Sequence, residues 1–346
     1  MTMVLPDRIE TVAVLEDLLS APSAAAIAAF RRLPGNVVVL GAAGKMGPTL
    51  ARMARRAADA AGSPRRVIAV SRFSDPGSGD ALRAHGVETI ACDLLDEAAV
   101  AALPAAPLVV FMAGQKFGTV GAAARTWAMN VHVPALVARR YRGSRIAAFS
   151  TGNVYGLAPV AGGGSREADA PNPAGEYAMS CLGRERIFEH FARADGTPVA
   201  ILRLNYATEM RYGVIVDLAQ RVAVGEPVDL AMGWFNAIWQ GDASAMALAA
   251  LADAATPPFI VNLAGPEKLR VRDVAATLGR LLGRAVTTRG EEAADALLSD
   301  GATGWARYGR PAVDADRLIR WVAEWVGRDG VTLGKPTHFE ARDGKF

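Results

Sequence analysis

Short runs of apolar residues alternate with helix-length segments along most of the chain. Continuous apolar runs are typical of strands that are buried on both faces, as in a parallel sheet covered by helices. Six such runs occur, at 37–40, 67–70, 87–91, 108–112, 145–149 and 199–204. A seventh run at 259–265 and an amphipathic segment at 270–283 predict one more strand and one more helix.

This alternation predicts an α/β fold with a doubly wound parallel sheet, the Rossmann architecture. We expect the dinucleotide-binding domain to span 36–205 together with 236–265, and a smaller C-terminal substrate lobe to comprise 206–235 and 266–346. Apolar residues at helical spacing predict a helical N-terminal extension over 1–35. The tail from Gly334 onward has no periodicity and is expected to lie on the surface as an arm.

Composition and charge narrow the classes of protein that need to be considered. The chain has 346 residues, 51% hydrophobic and 21% charged, as in a folded globular protein, and a net charge of +3 that favours neither nucleic acid nor membrane surfaces. No leader-like segment and no apolar stretch of ~18 residues is visible, so a cytoplasmic location is expected. Cys92, Cys181 and the four histidines lack the spacing of disulfide frameworks or metal ligands.

The strongest local signal is a glycine-rich turn directly after the first strand. Gly41, Gly44 and Gly47 surround Lys45 and Met46, and a helical pattern follows. Glycines allow a tight turn and the close approach of a pyrophosphate, and the helix N-terminus offers free N–H groups. The turn therefore predicts a dinucleotide site, and the alternative is a turn with no ligand.

The end of the second strand indicates which dinucleotide is bound. An acidic residue there binds the ribose 2′-hydroxyl of NAD, whereas this strand ends in Val70-Ser71-Arg72. A hydroxyl and a guanidinium suit a 2′-phosphate, which favours NADP, with NAD as the alternative. Arg72 can also be read as one more surface arginine, because only five residues of the chain are lysine.

Further motifs follow in an order that resembles the extended short-chain dehydrogenase/reductase superfamily, the NAD-dependent epimerase/dehydratase family. The resemblance covers roughly 36–285 and includes the segment STGNVYG at 150–156 and Gln240-Gly241-Asp242 before a helix. It implies that Asp93 and Leu94 contact the adenine, that Ala113 and Gly114 form the turn at the cofactor ribose, and that Asn130 is structural. It also implies that Thr151 and Tyr177 are catalytic, and that Tyr177 contacts the cofactor.

The chain departs from this family at two positions. The family signature is Tyr-x-x-x-Lys, whereas Cys181 follows Tyr177 by four residues. Cys181 is better read as a small packed residue than as a reactive thiolate. Lys116 is a candidate cation to replace the lysine and is also assigned to the cofactor site; the alternative is that it is a solvated loop lysine. Arg184 shares the helix face of Tyr177 but lies about 10 Å further along the helix axis. The second departure is Asn205, which comes two rather than three residues after Arg203.

The resemblance implies an oxidoreductase or epimerase that moves hydride between a nicotinamide and a secondary alcohol or ketone carbon of a small, sugar-like substrate. The alternative is a catalytically weak, NADP-binding regulatory or scaffold protein that kept the fold without the lysine. A homodimer that pairs through the helices carrying Trp127 and Tyr177 is also implied. Glu209, Arg211 and Tyr212 can line the substrate side, or form a polar loop instead. Trp234, Phe235 and Trp239 can stack on a sugar ring, or belong to the core instead.

Overall fold

The computed structural model describes residues 5–116 and 121–344. Its centre is a parallel seven-stranded sheet with strand order β3-β2-β1-β4-β5-β6-β7. The order reverses at β1, which confirms the predicted doubly wound α/β fold. The strands are β1 (Val37–Leu40), β2 (Val67–Ser71), β3 (Glu88–Ala91), β4 (Leu108–Phe111), β5 (Arg145–Thr151), β6 (Val199–Leu204) and β7 (Phe259–Leu263).

Successive residues of the central strands face two separate cores. Val37 and Val39 belong to one core, and Val38 and Leu40 to the other. All four side chains are completely buried, so every position of β1 requires an apolar residue. This two-sided burial explains why the strands appear in the sequence as unbroken apolar runs.

Helices cover both faces of the sheet and build the C-terminal lobe. One core contains residues of α2, α3 and α10, the other contains residues of α5, α7 and α8, and a π-helical turn at Ala128–His132 joins α6 to α7. The helices are α1 (Val12–Leu19), α2 (Ala24–Arg32), α3 (Gly47–Ala60), α4 (Ser78–Arg83), α5 (Glu97–Ala101), α6 (Ala123–Trp127), α7 (Val133–Arg140), α8 (Gly175–Asp195), α9 (Val214–Val224), α10 (Gln240–Ala250), α11 (Val271–Leu282), α12 (Ala302–Tyr308) and α13 (Ala315–Gly327).

The N-terminal helices are packed into the fold. Phe30 of α2 is fully buried in the core that contains Val37 and Val39. Leu15 and Leu19 of α1 are fully buried in the core of the C-terminal lobe. Arg52 of α3 forms an ion pair with Asp17 at 2.7 Å. Within the described ranges no single helix has the length and apolar character to cross a membrane, although the bent pair α1–α2 meets both criteria when it is taken together.

The C-terminal lobe has its own core, built by α9, α11 and α13 with short two-residue strands. Trp239 and Trp321 meet there edge to face at 5.7 Å, and Phe235 is fully buried beside them. The core reading of Phe235 and Trp239 is therefore the right one. The expectation of a surface arm was wrong for the tail, because Thr337 and Phe339 are each only 2% exposed.

Candidate active site

A cleft of about 410 Å³ opens at the carboxyl ends of the central strands. It is bounded by the glycine turn, the ends of β4, β5 and β6, the first turn of α8, the start of α9 and the tail. Ligands of open α/β sheets bind at this edge, next to the strand where the order reverses. We refer to this space as the cleft.

The glycine turn brings the end of β1 against the end of β4. Gly41 has a φ of +88°, and a Cβ atom there would lie 2.6 Å from the backbone nitrogen of Ala113. A Cβ on Gly47 would lie 2.3 Å from the carbonyl oxygen of Ala42. Only glycine fits these two positions, so the turn is as tight as the sequence predicts.

The first turn of α3 fits a pyrophosphate. Its N-cap residue, Met46, provides no side-chain hydrogen bond, and Pro48 follows at the second helical position. Gly44, Lys45 and Met46 line the cleft directly before this helix, so the positive end of the helix dipole lies beside it. The residues present therefore suit the diphosphate of a dinucleotide.

The residues expected to hold the adenosine half lie along the sheet edge. Ser71 ends β2, and Arg72 follows as an exposed residue. Asp93 is exposed after β3 and accepts a hydrogen bond from the Leu95 N–H at 3.0 Å, while Leu94 is buried. These four residues lie outside the lining of the cleft itself, whereas Gly114 at the end of β4 belongs to it.

The two predicted catalytic hydroxyls meet inside the cleft. Thr151 is the last residue of β5, Tyr177 lies in the first turn of α8, and both residues line the cleft. The Thr151 hydroxyl donates to Asn153 Oδ1 at 2.9 Å. Burial raises the pKa of Tyr177, and the charge of Arg184 and the hydrogen bond from Thr151 counteract part of that rise. Tyr177 is therefore a protonated phenol at neutral pH.

A buried asparagine connects the turn after β4 to α8. Asn130 Oδ1 accepts from the Gln115 N–H at 2.9 Å, and its amide donates to the Gln115 carbonyl at 3.0 Å and to Ser180 Oγ at 2.9 Å. Arg184 donates to the same Oδ1 at 2.7 Å and to the Phe149 carbonyl at 2.8 Å. Asn130 thus has the structural role that the resemblance implies.

Arg184 reaches the cleft although two helical turns separate it from Tyr177. Its side chain is 6% exposed and lines the cleft, and a Cβ on Gly114 would lie 2.4 Å from its Nη2. The length of the arginine side chain spans the distance along the helix axis. The sequence analysis did not assign Arg184 to the site, because it compared only the positions of Tyr177 and Arg184 along the helix axis.

A buried ion pair fixes the end of β5 against α8. Glu185 and Arg203 form a salt bridge of 2.7 Å with side chains that are 2% and 3% exposed. Ser150, which precedes Thr151, donates to Glu185 Oε1 at 2.5 Å. The carboxylate therefore orients the strand residue next to the predicted catalytic threonine.

Lysines give the cleft its positive charge. Burial and the neighbouring charges of Lys116 and Lys335 lower the pKa of Lys45 to about 7. Burial lowers the pKa of Lys116 to about 8, and Asp217 opposes that change. Lys116 Nζ lies 6.0 Å from the centroid of the Tyr177 ring and donates to the Thr337 carbonyl at 3.4 Å, so this residue lies in the cleft.

The sequence matches one family model over most of the fold. The model of the NAD dependent epimerase/dehydratase family covers residues 37–266, from β1 to just beyond β7. The chain belongs to this family. No curated protein matches the chain.

Solved members of the epimerase/dehydratase group share the fold at low sequence identity. The UDP-glucose 4-epimerase of Thermotoga maritima, solved with UDP-glucose, has a TM-score of 0.70 at 19% identity and covers 85% of this chain and 99% of its own. The UDP-glucuronic acid 4-epimerase of Bacillus cereus, solved with NAD, has a TM-score of 0.70 at 16% identity with the same coverage. DesIV, a dTDP-glucose 4,6-dehydratase of Streptomyces venezuelae solved with NAD and TYD, has a TM-score of 0.70 at 19% identity and covers 85% and 97%.

Four residues after Tyr177, this epimerase/dehydratase family member buries a thiol. Cys181 is fully buried beside Val154, Tyr155 and Tyr177, and burial raises the pKa of its thiol. A neutral thiol in an apolar cluster supplies no fixed charge. The cations close to Tyr177 are instead Lys116 and Arg184.

Some residues expected near the substrate lie elsewhere. Glu209 is fully buried and pairs with Arg211 at 3.0 Å, and neither lines the cleft. Asn205 is buried and donates to Asn236 Oδ1 at 2.6 Å, so it also lies outside the lining. Tyr212 does line the cleft, with Lys45 Nζ 3.3 Å from its ring centroid.

Proposed function

We propose that the protein is a nicotinamide-dependent oxidoreductase or epimerase that acts on a secondary alcohol or ketone carbon of a sugar-like substrate. The observation that carries the proposal is that Thr151 and Tyr177 both line one cleft, which begins at the glycine turn. Family membership supports it. The named substrates of the similar solved structures, which are nucleotide sugars, support the sugar-like class.

The residues that would hold the dinucleotide follow from the geometry. The amides of Lys45 and Met46 and the N-terminal end of α3 would bind its diphosphate. Ala113 and Gly114 would approach its nicotinamide ribose, and Asp93 with Leu94 its adenine. When bound, a nicotinamide dinucleotide supplies two-electron redox chemistry at the substrate carbon.

The protein's own groups would handle the proton. Tyr177 is positioned to give a proton to the reacting oxygen or to take one from it, and Thr151 to donate a hydrogen bond to that oxygen. Positive charge from Arg184 and Lys116 would stabilise the phenolate that Tyr177 becomes after proton transfer.

We propose NADP as the preferred cofactor, because Ser71 and Arg72 stand where an acidic residue would favour NAD. Arg72 is exposed and free to meet a 2′-phosphate at the sheet edge. Replacing Arg72 with Ala should weaken NADP binding about tenfold and leave NAD binding unchanged. Equal affinities for both dinucleotides in the parent protein, measured by isothermal titration calorimetry, would contradict the preference.

A tyrosine pair tests the acid/base role directly. Tyr177→Phe should lower turnover by about 10² or more, with nucleotide binding retained. Tyr141→Phe is the matched control, since Tyr141 is buried, its hydroxyl has no hydrogen-bond partner in the described part of the chain, and it lies outside the cleft. Turnover that survives Tyr177→Phe as well as it survives Tyr141→Phe removes Tyr177 from the mechanism.

The alternative function, nucleotide binding without turnover, is favoured by one observation: Cys181 replaces the signature lysine. It predicts that NADP or NAD raises the melting temperature while a broad panel of sugars and hydroxy acids gives no change in nicotinamide absorbance.

The homodimer also stays a prediction. Trp127 is 37% exposed on α6 and Met179 is 44% exposed on α8, so a second copy could cover them. Sedimentation velocity would report whether the protein is a monomer or a dimer in solution.

A further inference from the structure

Three of the chain's five lysines converge on the cleft. Lys45, Lys116 and Lys335 all line it, although the chain uses arginine for nearly all its other positive charges. Arg184 adds a fourth cation. Within the described part of the chain, no aspartate or glutamate belongs to the lining, so the cleft is one-sided in charge.

The three lysines come from separate segments, so no single local motif explains their meeting. Lys45 belongs to the glycine turn, Lys116 follows β4, and Lys335 arrives with the tail. The tail is held in place by Asp217, whose carboxylate accepts from the Thr337 N–H at 2.7 Å and from its hydroxyl at 2.6 Å. Phe339 is buried in the lobe core two residues further on.

Gathering like charges in one cleft costs free energy. Each ammonium repels the others, and partial burial removes water that would otherwise solvate it. In the described residues Asp217 is the carboxylate whose charge acts on both Lys45 and Lys116, and it is itself engaged by Thr337. A bound anion would relieve this repulsion.

The diphosphate of the dinucleotide does not account for all of this charge. The backbone amides of the turn and the first turn of α3 already suit it. Lys45 Nζ lies instead against the ring of Tyr212, on the side of the C-terminal lobe, and Lys335 is exposed at the mouth of the cleft. These two ammonium groups therefore face the space left for the substrate.

We propose that the substrate is an anionic polyol, one that carries a carboxylate or a phosphate monoester bound by Lys45 and Lys335. Its reacting carbinol would then lie at Thr151 and Tyr177, with Lys116 between the two ends. This inference rests on the proposed function and names the substrate class for the same cleft. An ammonium group binds either anion through charge-assisted hydrogen bonds, so carboxylate and phosphate are distinguished by experiment.

Calorimetry on the protein saturated with nucleotide tests the proposal with matched probes. D-gluconate is compared with D-glucitol, and D-glucose 6-phosphate with D-glucose, so that each pair differs mainly in charge. We expect at least one anion to bind about tenfold more tightly than its neutral counterpart. If neither anion binds more tightly than its neutral counterpart, the proposal is overturned.

Three lysine variants locate the binding groups. Lys335→Met and Lys45→Met should each weaken binding of the preferred anion about tenfold. Lys268→Met is the control, because Lys268 is exposed and bonded to the Val160 carbonyl outside the cleft. An unchanged anion affinity in Lys335→Met, or an equal loss of nucleotide affinity in the same variant, overturns the assignment.

The outcome is separable from that of the proposed function. Turnover of neutral sugars at rates equal to those of the acids would overturn the anionic class while the Tyr177 mechanism stands. Selective anion binding that depends on Lys335, with turnover unaffected by Tyr177→Phe, would uphold the anion site and remove the proposed mechanism.

Discussion

Gly41 is the residue on which the cofactor turn most depends, and Gly41→Ala is the perturbation that tests it. The added Cβ would lie 2.6 Å from the nitrogen and 2.7 Å from the Cα of Ala113. Both atoms are backbone, so no side-chain rotation can relieve the overlap. The ends of β1 and β4 would have to separate.

The cost has two parts. A φ of +88° is unfavourable for any residue with a Cβ, by about 1–2 kcal/mol. Overpacking against rigid neighbours adds about 1–3 kcal/mol. The sum of about 2–5 kcal/mol is a large fraction of the ~5–15 kcal/mol that stabilises an ordinary domain.

Urea unfolding of Gly41→Ala and Gly62→Ala separates the two parts. Gly62 follows α3 with a φ of +63° and has no atom within 4 Å of a built Cβ, so it should lose only about 1–2 kcal/mol of unfolding free energy. Gly41→Ala should lose more and also bind NADP and NAD at least tenfold more weakly, because its turn is displaced from the diphosphate. Equal losses in the two variants, or full nucleotide affinity in Gly41→Ala, would refute the reasoning.

Three further predictions follow from buried or strained contacts. Glu185→Gln leaves the guanidinium of Arg203 buried without its counter-charge and should lower the free energy of unfolding by about 3–5 kcal/mol in urea; a loss under 1 kcal/mol would contradict the role of the pair. Asp217→Ala releases Thr337 and should expose the tail to limited chymotrypsin digestion after Phe339, which is buried in the parent protein, while the remainder resists; an unchanged cleavage pattern argues against the anchor. Because the folded-state pKa of Lys45 is lowered to about 7 from 10.5, the unfolded chain holds more protons between those values, so this lysine costs stability near neutrality and the cost shrinks as pH rises. The stability advantage of Lys45→Met over the parent should therefore decrease from pH 7 to pH 10, and a constant or growing advantage would show that the pKa is not depressed.

The sheet could be predicted from the sequence because its strands are buried on both faces. The strands predicted at 37–40 and 199–204 match β1 and β6 residue for residue. The end of β5 was predicted two residues too early, since Ser150 and Thr151 break the apolar run although they still pair with β6. Both polar side chains are accommodated at the end of the strand, because the Ser150 hydroxyl donates to the buried Glu185 and Thr151 lines the cleft.

The residues whose positions could not be predicted are held in place by partners distant in sequence. Arg211 is drawn away from the cleft by Glu209 and by Glu16 of α1, at 3.2 Å, and no local pattern indicates that contact. Lys335 and Thr337 lie in an extended tail, which has no periodicity to read. Such segments are fixed by individual hydrogen bonds and ion pairs, whose partners become known only with the three-dimensional structure.

Helix α1 restricts how the two halves of the molecule can move. Glu16 binds Arg52 of the nucleotide-binding half at 3.3 Å and Arg211 of the lobe half at 3.2 Å, so one carboxylate spans both. A hinge rotation that separated the halves would have to break one of these ion pairs or drag the helix along. Opening the cleft by such a rotation would therefore cost these contacts, whereas displacing the tail would cost the hydrogen bonds of Thr337 to Asp217 and the burial of Phe339.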